Sequence, residues 1–333
     1  MTLPAFHVLQ PRTVADAVNM LDQHGSDAMV IAGGTDVIPN LQMRLFTPRV
    51  LVDVKLLREL ATIDFSPRDG LRIGSTATLT NILDTPWLRE KFPVLASAIG
   101  TVAGPLQRNM GTIGGNLCLE TRCRWYNQSH FWRQSLGGCL KKDGDICHVA
   151  PGGNFCWAAW SGDSAPAFLT LDAELEIAGR SGTRRVALRD FYKNDGMDRI
   201  ALARNELVTA VHVPARMAGR CGVYHKLRVR DSIDYPLAGV AVAMEVDSAG
   251  ICKDARVALS AVNPAPMLVM QASESLIGRK WSLELAERVA HAAIQTGKPL
   301  TTSGSTPVYR RDMVRVFTRR ALEDTWRNGH GKA

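Results

Sequence analysis

The sequence predicts an α+β chain of two to three domains. Three observations predict it: a length of 333 residues, a β-α-β run at the start, and a last third that orders its strands ahead of its helices. Hydrophobic residues make up 46% and charged residues 22%, close to globular averages, which excludes disordered, collagen-like and coiled-coil classes. No apolar run approaches the roughly 18 residues a bilayer span needs. The start, MTLPAFHVLQPR, lacks the basic-then-apolar pattern of a signal peptide. These features predict a cytoplasmic chain without a membrane partner.

The elements follow in order. Thr13 stands where an N-cap belongs, Val14, Val18, Met20 and Leu21 keep helical spacing, and Gly25 is placed to stop the helix. A short apolar strand, Met29 to Ala32, ends abruptly in Gly33-Gly34-Thr35-Asp36, and a second, Val50 to Val54, completes the β-α-β unit. Residues 61–75 read as a hairpin around Pro67-Arg68-Asp69-Gly70, and Pro93 to Ile99 as a helix. After Gly104-Pro105 the chain turns glycine-rich. From Cys118 to about Trp160 it carries five cysteines and four tryptophans with little periodicity, which predicts an insertion and not a domain. Regular structure resumes with the apolar stretch 165–171, the alternating run 173–177 and a strand from Leu207 to Val213. A boundary falls near residues 215–221. Beyond it lie strands at 223–228, 238–246 and 256–262, then helices at about 266–276, 283–295 and 308–326, a small antiparallel sheet with helices on one face.

Forty Lys and Arg against 32 Asp and Glu give a net charge of +8. That is moderate, and no single basic run points to nucleic acid. Local clusters occur at Arg122, Arg124 and Arg133, at Arg228 and Arg230, and at Arg310, Arg311, Arg319 and Arg320. Each suits an acidic partner, an anionic ligand or an ordinary solvated face.

Two glycine turns stand out, Ala32 to Asp36 after a strand and Gly111 to Asn116 before the insertion. Glycines let consecutive N–H groups approach an anion, with the Thr35 and Thr112 hydroxyls beside them. Neither turn matches GxGxxG before a helix or GxxxxGK[ST]. Either alone reads as a tight turn; two together suit a pyrophosphate gripped from both sides.

Cys118, Cys123, Cys139, Cys147 and Cys156 lie close in sequence, while Cys221 and Cys252 are isolated. In a cytoplasmic chain such a cluster points to metal or redox chemistry more than to disulfides. The spacing Cys123-x15-Cys139-x7-Cys147-x8-Cys156 is neither the paired CxxC of common zinc modules nor the CxxCxxC of bacterial ferredoxins. Spacing alone leaves iron–sulfur, zinc and small buried thiols all open.

With the loops and cysteines in view, the chain resembles the flavoprotein subunits of the xanthine oxidase, or molybdenum hydroxylase, family. The resemblance runs through both glycine loops, Gly162-Asp163-Ser164-Ala165-Pro166, the Glu206-to-Pro214 strand, Lys226, and the stretch from Ser260-Ala261-Val262 to Pro266. It implies a two-part α/β FAD-binding domain of the PCMH type, with parts at 1–55 and 56–217 and the iron–sulfur loop 118–160 inserted in the second, followed by an α+β domain at 218–333. The insertion, through residues 116–123, Tyr126-Asn127-Gln128-Ser129 and the later cysteines, is similar to that of the flavoprotein (β) subunits of 4-hydroxybenzoyl-CoA reductases. Xanthine and carbon monoxide dehydrogenase flavoproteins lack this segment.

That likeness implies a [4Fe–4S] cluster on Cys123, Cys139, Cys147 and Cys156, with Cys118 packing beside the second loop. It implies FAD contacts from Val30, Ile31, Ala32, Gly33, Gly34, Thr35, Asp36 and Val37, from Thr112, Ile113, Gly114, Gly115 and Asn116, and from Val102. Asp163 would hydrogen-bond a ribose or adenine group, and Val208 and Lys226 would lie by the isoalloxazine, where a cation stabilises the reduced anion.

The chain carries no CxxxxCGxC pattern and is too short to hold a molybdopterin-binding module as well. It is therefore expected to be one subunit of a dimer of heterotrimers, beside a small [2Fe–2S] subunit and a large molybdopterin-binding subunit. It would carry no catalytic residue for the organic substrate. The implied reaction is reductive removal of the phenolic hydroxyl of 4-hydroxybenzoyl-CoA with electrons from a ferredoxin, which Arg122, Arg124, Trp125, Trp132 and Arg133 would dock. Two other readings are an FAD subunit of an oxidising dehydrogenase passing electrons to NAD or a quinone, and a zinc-stabilised scaffold with empty loops.

Overall fold

The computed structural model describes residues 2–330; Met1 and the last three residues, which the expected first and third domains include, lie outside the described residues. Among the described residues, twelve strands form three separate sheets. The first holds β1 (His7–Leu9), β2 (Ala28–Ile31) and β3 (Val50–Asp53) in the order β1-β3-β2, all parallel. The helix Val14–His24 crosses between β1 and β2. Its start is fixed by a reciprocal cap in which Thr13 accepts from the Asp16 N–H and the Asp16 side chain accepts from the Thr13 N–H. Gly25, at φ 51°, ends it.

The second sheet is antiparallel, β4 (Ile63–Ser66), β5 (Gly70–Gly74), β6 (Glu174–Gly179), β7 (Gly182–Ala187) and β8 (Leu207–Val213), in the order β4-β5-β8-β6-β7. The hairpin expected at 61–75 is β4–β5. Its partner β8 arrives from more than 130 residues downstream, a pairing that local pattern does not carry. The third sheet is β9 (Cys221–Leu227), β10 (Ala238–Val246), β11 (Cys252–Ser260) and β12 (Met267–Leu268) in the order β12-β11-β10-β9. The helix expected from about 266 begins at Met270, because Met267 and Leu268 pair with β11 as an edge strand. Helices Leu283–Thr296 and Pro307–His330 follow.

Alternation on β10 assigns each face of the third sheet. Val240, Val242 and Met244 pack with the three C-terminal helices, while the small Ala241 and Ala243 face the other way. Their size lets the helices Pro93–Gly100 and Ser164–Thr170 approach, so one core runs from the second sheet into the third. The apolar stretch at 165–171 is this buried helix. No described helix is long and apolar enough to cross a membrane.

Candidate functional site

The first glycine loop leaves β2, an edge strand whose four apolar residues are all only half-buried. Gly34 adopts φ 71°, open to glycine at little cost. A Cβ on Gly33 would overlap the Met110 carbonyl, so a bare α-carbon is required where the two loops meet. Thr35 lies on the other side of the same contact, its Oγ1 close to Gly111. The N–H groups of Gly33, Gly34, Thr35 and Asp36 find no acceptor among the described residues. Unpaired consecutive donors on a tight loop are the chemistry an anion recruits.

The second loop opens the short helix Ile113–Leu117. Thr112 is its N-cap, accepting from the Gly115 N–H at 3.2 Å, and Gly114 packs directly on Ser75. Asn116 Oδ1 accepts from Ser164 Oγ at 2.5 Å, which leaves its amide NH₂ as the outward donor. Val102 is half-buried against the main core. Residues far apart in sequence thus meet, but the free N–H donors belong to the first loop: those of Gly111, Ile113, Gly114, Gly115 and Asn116 are bonded within the protein.

Three expected contacts have other partners. Asp163, 3% exposed, accepts from Tyr224 Oη at 2.8 Å and from Lys226 Nζ at 2.8 Å, one hydrogen bond on each carboxylate oxygen. Burial pushes its pKa up against the pull of Lys226. Lys226 also donates to the Thr101 carbonyl at 3.0 Å, adjacent to Val102. A bare Gly239 leaves room for the Tyr224 hydroxyl. Val208, 4% exposed, lies in the core of β8. Lys226 reaches the loop region through backbone and Asp163, as a buried ion pair.

The insertion is closed at its base by a two-residue bridge: the Arg122 N–H donates to the Ala159 carbonyl at 2.7 Å and the Ala159 N–H returns a bond at 2.8 Å. Cys123, Cys139, Cys147 and Cys156 are buried, free of disulfides, and line one cavity of about 20 Å³ with Trp125, Tyr126, Leu140, Lys141, His148, Val149 and Ala158. Cys118 stands apart, bonded through its N–H to the Gly114 carbonyl beside the second loop. Burial pushes the Cys123 thiol up to about 11, while the backbone N–H groups of Trp125 and Tyr126, directed at its sulfur, favour the thiolate. The Ala158 N–H donates to Cys156 Sγ at 3.4 Å. A Cβ on Gly196 would come within 2.7 Å of that sulfur, so this glycine lets the 193–200 loop close over it.

Among the described residues no group of three or more His, Cys, Asp or Glu side chains is gathered closely enough to hold a metal. By chemical type, four buried thiols around one cavity, with N–H donors on the sulfurs of Cys123 and Cys156, are a donor set that an iron–sulfur cluster or a zinc ion takes.

The basic residues of the insertion are mostly internal. Arg122 pairs with Asp36 of the first loop and stacks on Tyr235, 4.3 Å from its ring centre. Asp36 therefore joins that loop, the insertion and the third sheet's 228–237 loop. Arg133, 2% exposed, donates to the Met43 and Arg44 carbonyls at 3.0 Å and to that of Gln128. The expectation that Arg122 and Arg133 face a docking partner is corrected: their guanidinium groups complete backbone and carboxylate acceptors inside the fold. Arg124 remains exposed, as does Phe131, at 82%.

Comparison with known proteins gives a consistent result. Residues 4–216 match the family described as FAD binding domain in molybdopterin dehydrogenase, and residues 223–325 match the CO dehydrogenase flavoprotein C-terminal domain. The aldehyde oxidoreductase FAD-binding subunit of Escherichia coli is 32% identical over 283 residues, 82% of this chain and 86% of that protein. The carbon monoxide dehydrogenase medium chain of Afipia carboxidovorans is 29% identical over 320 residues, 96% of both chains. In solved structures, reconstituted CO dehydrogenase from Oligotropha carboxidovorans superposes with a TM-score of 0.80 at 28% identity, covering 98% of this chain and 99% of that one.

Proposed function

The chain belongs to the FAD-binding subunits of the xanthine oxidase family of molybdenum hydroxylases, and from that premise we propose that it is the electron-transfer subunit of a molybdenum-containing reductase, carrying a [4Fe–4S] cluster as well as FAD. The observation that carries this reading is the convergence of Cys123, Cys139, Cys147 and Cys156 on one buried cavity, in an insertion whose Arg122 is bonded to the first flavin loop. Membership of a flavin-binding family sets aside the scaffold with empty loops.

When bound, FAD accepts or releases electrons singly or in pairs and an iron–sulfur cluster passes them one at a time. The residues of the chain bind and orient. Gly33 to Asp36 offer N–H donors to the pyrophosphate, with Thr112 shaping the facing loop and Asn116 adding its amide. Val30, Ile31, Ala32, Val37, Ile113, Gly114, Gly115 and Val102 form the surrounding surface. The Lys226–Asp163 pair holds a cation beside the Thr101–Val102 backbone, and Val208 supports the sheet behind it. Leu45, Tyr126 and Ala158 exclude water from the cysteine sulfurs. No residue of this chain acts on the organic substrate.

The partners in this reading are a small [2Fe–2S] subunit and a large molybdopterin-binding subunit, with a ferredoxin as donor, and the substrate is 4-hydroxybenzoyl-CoA. The likeness of the cysteine insertion supports the substrate; the exposed Arg124 and Phe131 offer the ferredoxin a face. A second reading, an oxidising dehydrogenase delivering electrons to NAD or a quinone, is favoured by relatives named as dehydrogenases. Assay of the anaerobically purified complex separates them. Benzoyl-CoA formed from 4-hydroxybenzoyl-CoA with reduced ferredoxin supports the first; turnover only in the oxidising direction, with NAD or a quinone as acceptor, replaces it with the second.

A further inference from the structure

Trp125 lines the same cavity as the four cysteines. Its ring packs at a tilt against His148, 5.2 Å between ring centres, and against Trp132, at 6.1 Å. His148 is fixed in turn by donating from Nε2 to the Gly138 carbonyl at 2.7 Å. In this setting the indole Nε1–H is buried and has no acceptor among the described residues. Such an orphan is costly, and buried groups of this kind mark places where a bound group completes the hydrogen bonding. Nearby, Asn127 repeats the pattern: its Oδ1 accepts from the Cys123 N–H at 2.9 Å while its Nδ2 is buried without an acceptor. The acceptors such a cavity would gain on loading are sulfur atoms.

We propose that the Trp125 Nε1–H donates a hydrogen bond to a sulfur of the iron–sulfur group held by Cys123, Cys139, Cys147 and Cys156, and so sets its reduction potential. The proposal rests on the cluster reading above. Reduction adds an electron and places more negative charge on the sulfurs, so a fixed N–H donor stabilises the reduced form more than the oxidised one and raises the potential. Trp125 acts here as a positioning residue, and its effect is read in the potential.

The test uses the whole complex, purified anaerobically, with the potential followed by electron paramagnetic resonance. W125F keeps the ring and removes the N–H; W132F makes the same change in the neighbouring ring, which does not line the cavity. At the wild-type midpoint, W125F lowers the ratio of reduced to oxidised cluster about tenfold, which is 59 mV for a one-electron couple, and W132F leaves it within about twofold. Wild-type complex labelled with indole-¹⁵N tryptophan shows a nitrogen coupling to the reduced cluster. That measurement decides the matter even where W125F assembles no cluster. Equal shifts in both variants, an unmoved midpoint in W125F, or no ¹⁵N coupling overturns the proposal while leaving the cluster in place. A wild-type complex with no iron beyond that of its partner clusters overturns the underlying reading instead.

Discussion

Gly33 and Met110 set how closely the two glycine loops approach. G33A places a methyl group on a backbone carbonyl that cannot rotate away, so the loops must separate, and overpacking of this kind costs about 1–3 kcal/mol. FAD retention in the purified complex should fall about tenfold or more, measured as flavin per chain after dialysis, with secondary structure unchanged; full retention would show that the loops do not hold the cofactor. The glycines were legible because each follows an element that must turn. The role of Asp36 was not, since its partner Arg122 lies 86 residues away and no local pattern encodes such a pair. Arg133 shows the same limit. Composition places a cation on a surface, but the helix His130–Ser135 turns this one onto three carbonyls. R133M removes those charged donors and should destabilise the insertion by about 2–4 kcal/mol, measured by limited proteolysis between residues 122 and 159. Unchanged protease resistance would return Arg133 to the surface role.

At the scale of elements, the insertion has little regular structure and depends on clamps. Glu120 is the clearest, taking Lys141 Nζ at 2.5 Å and Arg199 Nε at 3.2 Å. Burial pushes the Glu120 carboxyl up, but Lys141 and Arg199 outweigh it and the net shift is below the usual carboxylate value. A carboxylate depressed in the folded state contributes stability that is present above its unfolded pKa, near 4.5, and lost as pH falls through the folded value. Thermal unfolding of the wild type should therefore weaken below about pH 4.5, and E120Q should remove part of that acid dependence while lowering stability at neutral pH. An acid limb identical in both proteins would assign the dependence to other carboxylates. Elements with strong periodicity, such as the helices at 14–24 and 283–296, were legible from sequence. The short helices at 37–42, 105–110 and 113–117 were not, because one or two turns carry too little pattern.

Across the whole molecule, the first glycine loop, the cysteine insertion and the third sheet's 228–237 loop meet where Asp36, Arg122 and Tyr235 touch. Family membership accounts for FAD; what we propose beyond it is that the cysteine-lined cavity holds a four-iron cluster. Iron, zinc and FAD analysis with a visible spectrum, on the anaerobically purified wild-type complex, tests it most directly. One FAD and about four irons per chain beyond the partner clusters are expected, with the four irons lost together and the FAD kept when Cys139 or Cys156 is replaced by serine. One FAD with no additional iron, or with zinc in its place, would contradict it.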